Sequence, residues 1–363
     1  MSLACGIVGL PNVGKSTIFE ALTGTESGRA PFAFSTTEPH VAITAVPDDR
    51  LGIINRFVET KKIVHADLKA IDIPALTAGS YKGEGMGNKF LGTVKESDAL
   101  LHVVQCFERA DLGRETPVNP SGDIETLELE LAMADFETVE RNVERVSKKA
   151  RAGDDRSIFE RDLFTRARAH LEEGGQLRTI EWKDAERDAL RPLFLMTMKP
   201  VLFVANVADD DLEGASDFAQ QVAAHAKESG ELWMPLCGDI ECELRKMEPD
   251  ERAMFMEELG IQELGLPRLI RSTYELLGMQ TFFTAGEIEI RAWTILKGDT
   301  APVAAGKIHS DFEKAFIKAE IYSVDDLVEH ETEPAIKAAG KMRIEGRDYI
   351  MRESDITHFL VGK

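Results

Sequence analysis

The residue pattern with the most specific chemistry lies close to the amino terminus. Gly9 to Ser16 reads Gly-Leu-Pro-Asn-Val-Gly-Lys-Ser and fits G-x-x-x-x-G-K-[ST], the spacing of a phosphate-binding P-loop. Gly9 and Gly14 allow the backbone to bend so that successive N–H groups face an α- and a β-phosphate. On this reading Asn12, Val13, Gly14, Lys15, Ser16 and Thr17 contact the nucleotide. Lys15 supplies a point charge to the β- and γ-phosphates, and the Ser16 hydroxyl takes one position on Mg²⁺. The setting agrees with the pattern. Leu3 to Val8 is an apolar strand candidate and Ser16 to Leu22 a helix candidate, which turns the positive end of the helix toward the anion.

Other candidates follow from the chemistry a nucleotide needs. Asp72 closes the β-branched run Ile63 to Ile73, where a Mg²⁺-associated carboxylate belongs. The Gly-, Ser-, Thr- and Pro-rich stretch Gly24 to Pro39 has the composition of a first switch loop. Thr36 is the expected Mg²⁺ ligand there, with Thr37 and Ser35 as near alternatives. Ala75 to Gly87 reads as a second switch loop. Leu76 occupies the place where a water-orienting Gln would be expected, so catalysis must draw on another group, a cation or a partner. Asn206-Val207-Ala208-Asp209 ends a further strand candidate and resembles Asn-Lys-x-Asp, with Val207 in place of Lys. Cys237-Gly238 would line a base pocket from the end of the next strand.

These positions require a framework. Strand candidates at Leu3–Val8, Val41–Val46, Ile63–Ile73, Ala99–Cys106, Val201–Ala205 and Leu232–Leu236 alternate with helical segments, which predicts a doubly wound α/β sheet. Ligands bind such sheets at the carboxyl ends of the strands. From Ile124 to Phe194, charged residues surround apolar positions at three- and four-residue spacing (Leu127, Leu131, Val139, Val146). With Phe136 and Val143 these form one stripe, and Phe159, Leu163, Leu171 and Leu177 sit in a second charged block beyond Gly153-Asp154-Asp155; this predicts two long helices folded back on each other. After Gly278, alternating strands at Thr281–Thr284, Ile288–Trp293 and Phe316–Tyr322, and a final pair at Tyr349–Met351 and Thr357–Val361, predict a small α+β domain with one or two short helices. The boundaries are 1–123 and 200–277 for the two parts of the nucleotide domain, 124–199 for the helical insertion, and 278–363 for the last domain.

Bulk composition narrows the function. A formal net charge of −21 over 363 residues opposes coating of nucleic acid by bulk electrostatics; no DNA partner is expected, and any nucleic-acid contact requires a local patch. No apolar stretch reaches the length of a membrane helix, so no membrane partner and a cytoplasmic location are expected. Cys5, Cys106, Cys237 and Cys242 form no C-x-x-C pair, and His309, His330 and His358 have no metal-ligand spacing.

The chain resembles the YchF (Obg-like ATPase) family of P-loop NTPases. The stretches that carry the resemblance are Gly9–Thr17, Lys82–Phe90, Val201–Asn206, Phe283–Gly286, Arg291–Trp293 and Ser310–Lys314. It implies a nucleotide domain interrupted by an antiparallel helical coiled coil, then a β-grasp-like TGS domain. It also implies a Mg²⁺-dependent ATPase that binds the ribosome, through rRNA and ribosomal proteins, and has an apolar residue, here Leu76, in place of the catalytic Gln. ATP is the expected substrate, with GTP retained more weakly. Asn12 matches the Asn that related NTPases use to hold a monovalent cation, which makes K⁺ a candidate for the missing positive charge. Three positions depart from the family: Ala75 replaces a usual Gly, Asp209 a usual Glu, and Gly113 a loop His.

Overall fold

The computed structural model describes residues 3–24, 40–75, 86–109 and 116–362, with only the backbone at 86–88. Thr36, Leu76 and Gly113 lie outside the described residues, as do most of the two expected switch loops. The strands are β1 (Ala4–Val8), β2 (His40–Ala45), β3 (Ile63–Val64), β4 (Asp67–Asp72), β5 (Ala99–Cys106), β6 (Val201–Val207) and β7 (Leu232–Leu236). They are followed by β8 (Met279–Thr284), β9 (Ile290–Leu296), β10 (Phe316–Ser323), β11 (Arg343–Glu345) and β12 (Asp355–Val361). Contacts divide the chain into two units, Met1–Ala42 with Lys69–Leu269 and Ile43–Leu68 with Ile270–Lys363.

The first unit is built on a sheet of order β2-β4-β1-β5-β6-β7, in which β4, β1, β5, β6 and β7 run parallel. β5 and β6 are buried at every residue, as strands covered on both faces must be. From β1 the chain builds β4 on one side and β5 on the other, so a crevice opens at the carboxyl ends of β1 and β5. Around the sheet lie α1 (Lys15–Thr23), α3 (Met86–Glu96), α7 (Asp217–Ser229), α8 (Gly238–Lys246) and α9 (Pro249–Glu258); α10 (Gly265–Leu276) starts in this unit and from Ile270 belongs to the second. Val8, Ile71, Phe90, Val104 and Phe203 share one apolar core.

The helical segment is a hairpin of unequal arms. α4 (Pro120–Arg151) starts with Asn119, whose Oδ1 accepts from the Gly122 N–H at 3.2 Å. α5 (Asp155–Glu172) starts with Asp154, which accepts from the Ser157 N–H at 2.9 Å. Gly153, at φ +85°, turns the chain between them. The first turns of α4 belong to the sheet's core through Ile124, Leu127 and Leu131, whereas Val139 and Val146 pack with Leu163, Phe164 and Leu171 of α5. The second helix stops at Glu172 instead of continuing to Phe194. Gly174 at φ +80° breaks it, and α6 (Asp184–Leu190) with short 3₁₀ turns returns the chain to β6.

The second unit has a sheet of order β11-β10-β12-β8-β9-β3, mixed in direction: β10/β12 and β8/β9 are antiparallel, and β12/β8 and β3/β9 parallel. α11 (Ala301–Ile308) packs its alanines against Phe282, Ile295, Phe316 and Ile321. Four short helices follow β9, not one or two; the others are α12 (Ser310–Ala315), α13 (Val324–His330) and α14 (Glu333–Ala338). Tyr349–Met351 is not a strand, since Ile350 forms only an isolated bridge to Thr300; β12 pairs instead with β10 and β8.

The expected strand Ile63–Ile73 is two strands in two sheets. At the break, Ala66 accepts from the Val46 N–H at 2.7 Å and the His65 ring contacts the Val46 carbonyl at 3.1 Å, which ends the β3 pairing. Residues 43–68 therefore sit with the carboxyl-terminal unit, although the sequence reading set them within 1–123. α2 (Asp49–Phe57) explains why. It buries Leu51 and Ile54, and Arg50 stacks over Phe283 at 4.9 Å while donating to Ser354 Oγ at 2.8 Å.

Candidate nucleotide site

The chain leaves β1 at Gly9, with φ +154°, so close to β5 that a side chain would collide with the Val103 carbonyl. Gly14, at φ +97°, has no more room, because a Cβ would run into the Asn206 amide. Between them Asn12 takes φ +62°, a left-handed conformation in which Asn is enriched. Loops that mix left- and right-handed residues gather N–H groups into an anion-binding concavity, and this one feeds the amino end of α1.

Lys15 is buried, and its Nζ donates to the Leu10 carbonyl at 2.7 Å, folding back across the loop. Burial brings its pKa down to about 8, with Asp72 acting in the opposite direction. Ser16 Oγ donates to Asp72 Oδ2 at 3.3 Å across the crevice. Burial pushes the Asp72 carboxyl up, against the pull of Lys15 and the Ser16 hydroxyl. A hydroxyl and a carboxylate aimed at one point suit a hard cation that takes only oxygen. Among the described residues no group of three or more His, Cys, Asp or Glu could hold a metal by itself. Mg²⁺ binds in that incomplete way, with phosphate oxygens and water filling its remaining positions.

On the other side of the loop, Asn206 at the end of β6 joins three segments. Its Nδ2 donates to the Val13 carbonyl at 2.9 Å, and its Oδ1 accepts from the Gly238 N–H at 3.1 Å. Gly238 opens α8 and packs on Thr17 and Ile18 of α1. Further along α8, Cys242 Sγ donates to the Thr17 carbonyl at 3.3 Å, Arg245 donates to the Ala21 carbonyl, and Lys246 pairs with Glu20 at 3.6 Å. No motif marks these α8 residues. The only sequence signal is an i, i+3, i+4 spacing on one short helix.

Three comparisons bear on this arrangement. A family model described as "50S ribosome-binding GTPase" matches residues 4–148, and the YchF-GTPase_C model, described as "Protein of unknown function (DUF933)", matches 279–362. The chain is 44% identical over 361 residues to the "Ribosome-binding ATPase YchF" of Escherichia coli O157:H7, covering 99% of both. It is 43% identical over 363 residues to the protein of the same name from Bacillus subtilis (strain 168), again covering 99% of both. The solved structure of the Schizosaccharomyces pombe YchF GTPase superposes with a TM-score of 0.87 at 34% identity, covering 99% of this chain and 98% of that one. The chain belongs to the YchF family.

In this YchF-family chain the sequence-derived positions separate into groups. Asn12 to Thr17, Asp72, Asn206 and Gly238 converge on the loop. Val207 does not present its side chain to a base: it is buried in the sheet's core. Asp209 is exposed in the turn beyond β6, and Cys237 is buried, its thiol pushed up by that burial.

Proposed function

We propose that this chain is a Mg²⁺-dependent P-loop ATPase that associates with the ribosome. The observation that carries the reading is the closed loop from Gly9 to Ser16, with Lys15 buried across it and Ser16 hydrogen-bonded to Asp72. The names of the E. coli and B. subtilis relatives support the ribosome and the ATP. Lys15 exchanges the Leu10 carbonyl for phosphate oxygens. Ser16, Asp72 and Thr36 hold the divalent cation, which neutralises charge on the transferring phosphate. With Leu76 unable to orient water, Asn12 holds a monovalent cation, K⁺, that supplies the missing positive charge. On this reading the hairpin of α4 and α5 is the family's coiled-coil insertion, the carboxyl-terminal unit is its TGS domain, and the protein works in the cytoplasm. No helix among the described residues is long and apolar enough to cross a membrane.

The test is hydrolysis under single turnover, with and without ribosomes. Turnover that is faster in K⁺ than in Na⁺, and loses that difference in Asn12→Ala, supports the cation's role; equal rates in both salts contradict it. A second reading has GTP as the substrate. It is favoured by exposed Asp209, whose carboxylate could accept from the N1 and N2 of guanine.

A further inference from the structure

The hairpin carries a charge pattern for which the nucleotide site has no use. Every charged side chain of α4 up to Glu140 is acidic; from there on, Arg141, Arg145, Lys148, Lys149 and Arg151 stand against Glu144 alone. All five cations are exposed. At 3.6 residues per turn, positions 141, 145, 148 and 149 fall within about 100° of one another, and they span about 12 Å of helix. The buried positions Val139 and Val146 face α5 from another side of the helix.

Two ordinary explanations cover only part of this. Cations in a last turn offset the negative end of the helix dipole, which accounts for Lys148, Lys149 and Arg151, but the effect fades within that turn and does not reach Arg141 or Arg145. A solvated helix face interleaves its charges, and α5 does so: Arg156 pairs with Glu160, Arg161 with Asp162, and Arg166 with Glu186 of α6. On α4, among the described residues, Arg145, Lys148, Lys149 and Arg151 form no ion pair within 4.0 Å, and Arg141 donates Nε to the Glu137 carbonyl. The Ser157 hydroxyl and N–H hold the Asp154 carboxyl below its ordinary range, and the charges of Lys149 and Arg156 add to them.

We infer that this stripe is a contact for the phosphate backbone of ribosomal RNA, an inference that rests on the ribosome association proposed above. Long cationic side chains without an apolar anchor suit a row of phosphates, whereas a protein interface needs a desolvated aromatic or aliphatic centre. A membrane surface would need an apolar face to insert, and that face of α4 is covered by α5. In a chain of net charge −21, a polyanion can approach only where cations are segregated in this way.

Two full-length variants test it: Arg141→Gln, Arg145→Gln, Lys148→Gln and Lys149→Gln together, and the charge-keeping pair Arg141→Lys with Arg145→Lys. Binding to 70S ribosomes by co-sedimentation, and to protein-free ribosomal RNA by filter binding, is measured over a KCl series. The Gln variant should bind both at least tenfold more weakly at low salt. Its log–log salt slope should be shallower by about 0.7–0.9 per lost phosphate contact, up to about 3.6 for four contacts. The Lys pair should stay within about twofold of wild type. Unchanged affinity and slope in the Gln variant would overturn the assignment. So would a loss on ribosomes without one on protein-free RNA, which would assign the stripe to an acidic ribosomal protein. Wild type that ignores ribosomes but binds protein-free RNA through the stripe would sink the ribosome reading and keep this one; binding to neither would sink both.

Discussion

On the proposed reading, the phosphate end and the base end of the nucleotide site are built on different terms. At the phosphate end, Lys15, Ser16 and Asp72 keep groups that an incoming ligand can take over: an ammonium resting on one carbonyl and a hydroxyl resting on one carboxylate. At the base end, the Asn206 amide is committed to the Val13 carbonyl and the Gly238 N–H, and Val207 is in the core. The first end is poised for exchange with ligand, the second for holding the loop in shape. On that reading, strong binding and weak choice of base are expected, because the groups with the largest energies are those that every nucleoside triphosphate shares.

The largest expected effect is at Lys15. Lys15→Ala removes a charge-assisted contact and should weaken MgATP by about 3 kcal/mol, on the order of a hundredfold, measured by calorimetry. Near-wild-type affinity would mean that the phosphates lie elsewhere. Next is Asn206→Ala, which strands a buried carbonyl and a buried N–H at a cost of about 1–3 kcal/mol. If Asn206 is scaffold, ATP and GTP should lose affinity by the same factor; a loss confined to one of them would make it a base reader and remove the contrast.

A smaller effect concerns protons. An anion that binds the Lys15 ammonium raises its pKa from about 8, so binding draws in a proton wherever the free side chain is partly neutral. Affinity for MgATP should be flat below pH 7 and fall as pH rises through about 8, by up to tenfold per unit. Lys15→Arg, which stays charged, should remove the slope in any residual binding. Titrations in buffers of different ionisation enthalpy give the proton count directly, and no uptake at pH 8.5 in the wild type would contradict the burial argument. The smallest effect is at exposed Asp209. Asp209→Asn should change the ATP-to-GTP ratio by less than about tenfold, since an exposed hydrogen bond contributes about 1 kcal/mol.

The same contrast governs what the sequence reveals. Gly9 to Ser16 is legible because its Gly, Lys and Ser recur at a fixed spacing within eight positions, the glycines required by φ and close approach and Lys15 by its charge. Asn206 is visible as a position but not as a scaffold, because its partners Val13 and Gly238 lie far away in the chain. Arg245 and Cys242 show only a helical spacing and no motif, since what they touch on α1 is backbone carbonyl, which leaves no trace in residue types. The division of Ile63–Ile73 between two sheets is hidden for a related reason. No Gly or Pro marks the break; it is made by Val46, some twenty residues earlier, pairing with Ala66. Likewise the placement of α2 with the carboxyl-terminal unit depends on Arg50 meeting Phe283 and Ser354, contacts that periodicity cannot show.

Competition decides between a phosphate-dominated site and a base-dominated one. Labelled ATP, with Mg²⁺ at one ionic strength, is displaced by unlabelled ATP and by GTP. An account in which Lys15, Ser16 and Asp72 carry the binding predicts that both compete, with ATP better than GTP by a modest factor, at most about tenfold. GTP competing tenfold better than ATP would place guanine recognition at Asp209 and contradict both the ATPase reading and the division of labour within the site.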